Sequence, residues 1–154
     1  MILTKNFKLK ELTYSQTAER LSIDQDPSKE QIALLTNLCC MILQPVRDHF
    51  GKVVTVSSGY RHPDLCVALG SKPTSEHTCQ TSAAADFELF GVDNLKVAEW
   101  IRDNLEFSTL ILEYYSPPNG GWIHCSYSPT NNAKKVLRAV KVDGKTKYEP
   151  GLCP

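Results

Sequence analysis

The sequence predicts an α+β fold, a central and mainly antiparallel sheet flanked by helices. Three observations lead there. A capped amphipathic run opens at Ser28 and continues to about Phe50, long enough for a core helix. Apolar or β-branched runs of strand length recur at 53–57, 83–87, 108–115 and 121–127, separated by turn residues. Tight-turn signals, Pro117-Pro118-Asn119-Gly120 and Asp143-Gly144, join neighbouring runs as hairpins rather than as helical crossovers.

The long helix is predicted from the Ser28/Gln31 capping box and from Ile32, Leu35, Leu38, Ile42 and Val46, which recur at three- and four-residue steps. Pro45 falls inside that pattern and is expected to kink it. Ahead of it lie short segments, with one short helix near 15–21 and irregular chain through Asp24-Gln25-Asp26-Pro27. The strand at 53–57 delivers Ser58-Gly59-Tyr60-Arg61 at its C-terminal end, and Pro63 suits the first turn of a short helix over 63–69. A loop follows, then the strand at 83–87. Asp93 caps a second amphipathic helix, 94–105, with Val97, Trp100, Ile101 and Leu105 inward. The two hairpins complete the chain, the second over 135–148.

At 154 residues the chain is about one domain long, and 1–154 is read as a single domain. Seventeen basic and seventeen acidic side chains cancel, which gives no field to attract nucleic acid. No run approaches the roughly 18 apolar residues of a membrane span. The first ten residues lack a long apolar stretch, so synthesis in the cytoplasm is expected, with no membrane insertion. None of the six cysteines forms a C-x-x-C pair, which argues against a zinc ribbon and for reduced thiols.

Chemistry concentrates in two stretches. Ser75-Glu76-His77 through Ala84-Ala85-Asp86-Phe87 offers an imidazole and a carboxylate, and Trp122-Ile123-His124-Cys125-Ser126 offers a second imidazole on a strand. His77, Asp86 and His124 make a three-ligand set that suits a catalytic zinc with one open position. Strand alternation places Trp122, His124 and Ser126 on one face and Ile123, Cys125 and Tyr127 on the other; Asp86 likewise opposes Ala85 and Phe87. If Pro117 to Gly120 form a four-residue loop, Glu113 lies directly across from His124, where it can take a proton from an attacking water. A one-residue slip would put the two on opposite faces. Glu76, beside His77, is the rival base. Arg61 ends a strand at a turn, and its guanidinium is suited to hold a carboxylate or a polarised carbonyl oxygen, with Ser58 and Tyr60 adding hydrogen bonds. Trp122 reads as a cleft wall. His62 reads as a helix-start residue and His49 as a surface residue at a helix C-terminus.

Ser58-Gly59-Tyr60-Arg61, Ser75-x-His77, Ala84-Ala85-Asp86-Phe87, Leu110-Ile111-Leu112-Glu113 and Trp122-Ile123-His124-Cys125-Ser126, in that order, resemble the zinc D-Ala-D-Ala carboxypeptidase family. That family includes D,D-dipeptidases of vancomycin resistance and L-alanyl-D-glutamate endolysins of phages. Phe7-x-x-x-Glu11-Leu12, Ser15-x-Thr17-Ala18 and Ile23-Asp24 look like its small, often phage-encoded branch. The resemblance covers about residues 5–128. It implies a fold shared with the hedgehog signalling domain, Zn2+ on His77, Asp86 and His124, Arg61 binding the peptide, and cleavage of peptidoglycan peptides. A monomeric lytic enzyme of this kind would reach the bacterial cell wall through holin-type release or as part of a virion.

The sequence departs from the family twice. Eight residues, Thr78 to Ala85, separate His77 from Asp86, more than the family usually has, and Cys79 becomes a possible substitute ligand in a closed structural site. Gly121 stands three positions before His124, where many relatives carry an acidic residue, so the base must come from elsewhere. Both departures also suit a second reading, a non-catalytic zinc-stabilised binding or virion structural module of the same fold.

Overall fold

A computed structural model describes residues 1–153; Pro154, the last residue of the expected domain, lies outside the described residues. Six strands form one sheet in the order β1-β2-β4-β3-β5-β6. They are β1 (Val54–Ser58), β2 (Ala83–Leu89), β3 (Thr109–Glu113), β4 (Trp122–Tyr127), β5 (Lys135–Val142) and β6 (Lys145–Pro150). All neighbours run antiparallel except β3 and β5, which are parallel. The α+β class and the mainly antiparallel sheet are therefore present. The parallel pair has a simple cause. The chain leaves β4, crosses back through 128–134, and adds β5 beside β3 on the side away from β4.

The helices are α1 (Leu9–Thr13), α2 (Gln16–Leu21), α3 (Lys29–Leu38), α4 (Gln44–Phe50), α5 (Pro63–Ala68) and α6 (Asn94–Asn104). The Ser28/Gln31 capping box opens α3. The kink expected at Pro45 takes a definite form: a π-helical turn, Cys39–Leu43, joins α3 to α4, and the Gln44 N–H donates to the Cys39 carbonyl. Proline has no N–H, and its ring would clash with the carbonyl four residues back; widening the turn ahead of it relieves both problems without ending the helix. No helix among the described residues is long and apolar enough to cross a membrane.

Strand alternation divides the sheet into two unlike faces. Ala83, Ala85 and Phe87 of β2, Ile123 and Cys125 of β4, and Leu110 and Leu112 of β3 join Leu35, Leu38, Ile42 and Val46 from the long helix and Val97 and Ile101 of α6 in one core. The residues between them, Asp86, His124, Ile111 and Glu113, face the other way and line a cleft. One side of the sheet thus holds the fold while the other is free to carry polar groups.

Gly59, just past β1, is where the N-terminal segment locks on. The Tyr60 N–H donates to the Leu12 carbonyl at 2.6 Å. A Cβ on Gly59 would overlap the Leu12 carbonyl oxygen and stand 2.9 Å from its carbon, and both are backbone atoms that cannot turn aside. We expect Gly59→Ala to cost about 1–3 kcal/mol, the range for overpacking. For a chain this long that corresponds to a loss of about 2–4 °C in Tm per kcal/mol. An unchanged melting curve would show that α1 can move away freely.

Candidate metal centre

The first imidazole comes from a 3-10 turn, Glu76–Thr78, capped by Ser75, whose Oγ accepts from the His77 N–H. His77 Nδ1 lies 2.7 Å from the Gly59 carbonyl, which fixes Nδ1 as the protonated nitrogen and turns Nε2 toward Asp86 Oδ2 at 3.4 Å. Asp86 sits on β2 directly opposite His124 on β4. His124 Nδ1 is 3.1 Å from Asp86 Oδ1, and its Nε2 is 3.4 Å from Glu76 Oε1. One ligand atom from each of His77, Asp86 and His124 falls within 4.8 Å of the others.

The long His77–Asp86 connection does not separate the set. Its additional length is taken up at Cys79, which adopts a left-handed backbone at φ 53°, and in the bends that follow before β2. The alternative that made Cys79 a ligand is corrected by its position. Its side chain is buried in the apolar core, and burial pushes its thiol up to about 12, away from the thiolate a metal requires.

The predicted hairpin register is also corrected. Glu113 pairs with Trp122, and Ile111 is the residue opposite His124. The connecting loop therefore spans 114–121 instead of 117–120. Tyr114 and Gly121 both adopt positive φ and close it, the Tyr114 N–H turns to the Ala139 carbonyl of β5, and Asn94 Nδ2 donates to the carbonyls of Gly120 and Gly121. The shift is two residues, so parity is kept and Glu113 stays on the His124 face. A cleft of about 330 Å³ is lined by Arg61, His77, Asp86, Glu113, Trp122 and His124, with Glu76 and Tyr148 also on its wall.

Arg61 is placed by three contacts. Its N–H donates to the His77 carbonyl at 2.8 Å, its Nε to Ser58 Oγ at 2.8 Å, and its Nη2 reaches Asp86 Oδ2 at 3.4 Å. Ser58 thus orients the guanidinium and does not itself line the cleft. Tyr60 is a correction as well. Only 3% of it is exposed, and it packs in the core below Gly59, away from the cleft. Gln25 Nε2 holds its carbonyl, and Gln25 was not singled out in the sequence because a lone amide gives no pattern. Nor did the sequence single out Tyr148, which reaches the cleft only through the parallel β3–β5 pairing.

The electrostatics follow from crowding Asp86, His124, His77, Glu76 and Glu113 into one site. Burial opposes the charge on Asp86, but hydrogen bonds from His124 and His77 outweigh it and hold the carboxyl well below its ordinary range. Burial also opposes a charged His124, yet the Asp86 and Glu76 carboxylates raise it to about 9. His77 is lowered, first by burial. Glu113 is raised, chiefly by burial, with the positive His124 working against the rise. In metal-free protein these shifts set opposing limbs. His124, raised from an ordinary 6.5, stabilises the fold fully below 6.5, and that contribution is lost as pH rises through about 9. His77, lowered from 6.5, favours the neutral form, so its contribution is lost as pH falls below 6.5. Asp86 and Glu76, both lowered, keep theirs until the more acid range. The Tm of chelator-treated protein should therefore peak near neutrality and decline toward pH 9. In His124→Gln the alkaline decline should vanish; a decline that persisted would assign it to another group.

One face of the sheet is packed, and a cleft on the other carries a two-imidazole, one-carboxylate cluster that can hold a metal ion. Residues 5–126 match the family model of peptidase M15, and the chain belongs to that family. No curated protein matches the sequence.

Proposed function

We propose that the protein is a zinc-dependent peptidase acting on the stem peptides of bacterial peptidoglycan, of carboxypeptidase or endopeptidase type. The observation that carries this reading is the convergence of His77, Asp86 and His124 at a cleft that also presents Glu113 and Arg61. The donor set fits zinc: two borderline imidazole nitrogens and one carboxylate oxygen are donors that zinc accepts, and three protein ligands leave a position open. The supporting contacts fit too. A ligating imidazole is normally oriented by a carbonyl or carboxylate on its other nitrogen. Gly59 does this for His77, and Glu76 does it for His124. Glu76 is then a positioning residue, which leaves Glu113 as the base.

Held by His77, Asp86 and His124, zinc would supply a Lewis acid for the scissile carbonyl and would lower the pKa of an attacking water to about 7. Glu113, buried enough to sit above its ordinary pKa, accepts that water's proton and delivers it to the leaving amine. Arg61 has a second terminal nitrogen with no hydrogen-bond partner among the described residues, and that nitrogen holds the peptide's carboxylate or carbonyl oxygen. Trp122 walls the cleft beside them. The enzyme acts as a monomer on the cell wall, after holin-type release or within a virion, as a lytic enzyme of a phage or prophage.

Mass spectrometry of muropeptides after incubation with purified protein tests the function. New stem-peptide fragments, lost on chelation and regained with zinc, are expected; an unaltered muropeptide profile with zinc-loaded protein would overturn it and leave the non-catalytic module. Arg61→Lys keeps a charge but loses the planar fork that reaches Ser58 and Asp86 together. It should lower kcat/KM by about 10- to 100-fold, the worth of a charge-assisted hydrogen bond, with zinc content unchanged. Wild-type kinetics in Arg61→Lys would mark the residue as a structural ion-pair partner of Asp86.

A further inference from the structure

The family match ends at residue 126, before the β5–β6 hairpin begins. That hairpin nevertheless reaches the cleft. Trp122 of β4 pairs with Glu113 of β3, Glu113 with Ala139 of β5, and Ala139 with Tyr148 of β6. Cross-strand partners share a face, so this row runs across four strands on the cleft side of the sheet. Ala139 is the small member, fully buried between larger neighbours. The Tyr148 ring lines the same cleft as His77, Asp86 and His124. Partial burial first, and then the carboxylates of Glu113 and Asp86, raise its phenol pKa. That hydroxyl has no hydrogen-bond partner among the described residues, whereas Tyr114, just past β3, is tied to Thr146. The residue is 55% exposed, so its ring is not needed to fill the core.

We propose that Tyr148 is a specificity-determining residue which donates its hydroxyl to a carbonyl or carboxylate oxygen of the peptide bound in the cleft. The chemistry is one-sided. Asp86, Glu113 and Glu76 supply acceptors along this wall, so a peptide oxygen there requires a donor, and a phenol that stays protonated is one. Arg61 holds the peptide from the β2 side of the site and Tyr148 from the β6 side, with the ligand cluster between them. The inference rests on the peptidase reading above, and the β5–β6 hairpin becomes the part of the cleft that distinguishes this chain's substrates.

The test compares wild type, Tyr148→Phe and Tyr148→Ala on purified stem peptides, with kcat and KM measured separately and zinc content and Tm as controls. Tyr148→Phe keeps the ring and the strand, so it should fold as wild type. Its KM should rise about tenfold with little change in kcat, and Tyr148→Ala should rise further. The separation of KM from kcat identifies a binding contact, since loss of hairpin structure would lower Tm and kcat together. If wild type cleaves the peptide and both variants match its KM, the Tyr148 assignment falls alone. If wild type neither cleaves nor binds any stem peptide, the peptidase reading falls and takes this one with it.

Discussion

Glu113→Gln should lower turnover by about 100-fold or more while leaving zinc content and Tm unchanged. The magnitude is that of general-base catalysis by a positioned side chain. The substitution keeps the shape and most of the hydrogen bonding and removes only the basic oxygen. No other carboxylate is as well suited. Asp86 is committed to both imidazoles and lies far below its ordinary pKa, so it cannot hold a proton between steps. Glu76 is lowered too, because hydrogen bonds from His124 and Ser126 outweigh its burial, and it is turned to His124 Nε2. Glu113 alone among them is raised, which favours a group that must take up and return a proton near neutral pH. The parallel variant Glu76→Gln should have a smaller effect, within the about 10- to 100-fold typical of an outer-shell partner, and should weaken zinc retention. The reverse pattern, with Glu113→Gln fully active and Glu76→Gln dead but zinc-loaded, would make Glu76 the base.

Local signals in the sequence carried the elements further than they carried the pairings between them. The capping box at Ser28, the cap at Asp93 and the Asp143-Gly144 turn are each decided within a few residues, and each forms as expected. The face of each strand was legible for the same reason, since alternation along β2 and β4 is local. Cys125 packs in the core, and Asp86 and His124 meet across the sheet. The hairpin register was not legible. It depends on Asn94 of α6 gripping the carbonyls of Gly120 and Gly121, and on Tyr114 turning toward β5, contacts between residues far apart in the chain. The burial of Tyr60 depends likewise on the approach of Leu12, which a motif containing Gly59 permits but does not announce. The parallel β3–β5 pair, and with it the place of Tyr148 in the cleft, follows from a crossover that no short pattern specifies.

Asp86→Asn should abolish stable zinc binding and with it all measurable hydrolysis. Wild-type protein should carry about one equivalent of zinc by elemental analysis. Among the described residues Asp86 is the only carboxylate that faces both imidazoles of the cluster, with Oδ2 toward His77 and Oδ1 toward His124. On the proposed ligand set, removing its charge takes one of three ligands and leaves two imidazoles to hold a divalent ion. The loss in affinity should exceed the about 10- to 100-fold of an outer-shell change. Asparagine preserves the volume, so core packing on the Ala85 and Phe87 side should be undisturbed. Arg61 then loses its ionic partner, but it is partly exposed and keeps its bond to Ser58, so the stability cost should be small. Cys79→Ser is the informative control. If the ligands are His77, Asp86 and His124, this variant keeps its full equivalent of zinc and its activity, with only a modest fall in Tm from placing a hydroxyl in the core. Zinc retained in Asp86→Asn and lost in Cys79→Ser would require the long 78–85 connection to rearrange around the metal, and the site would then be closed and structural.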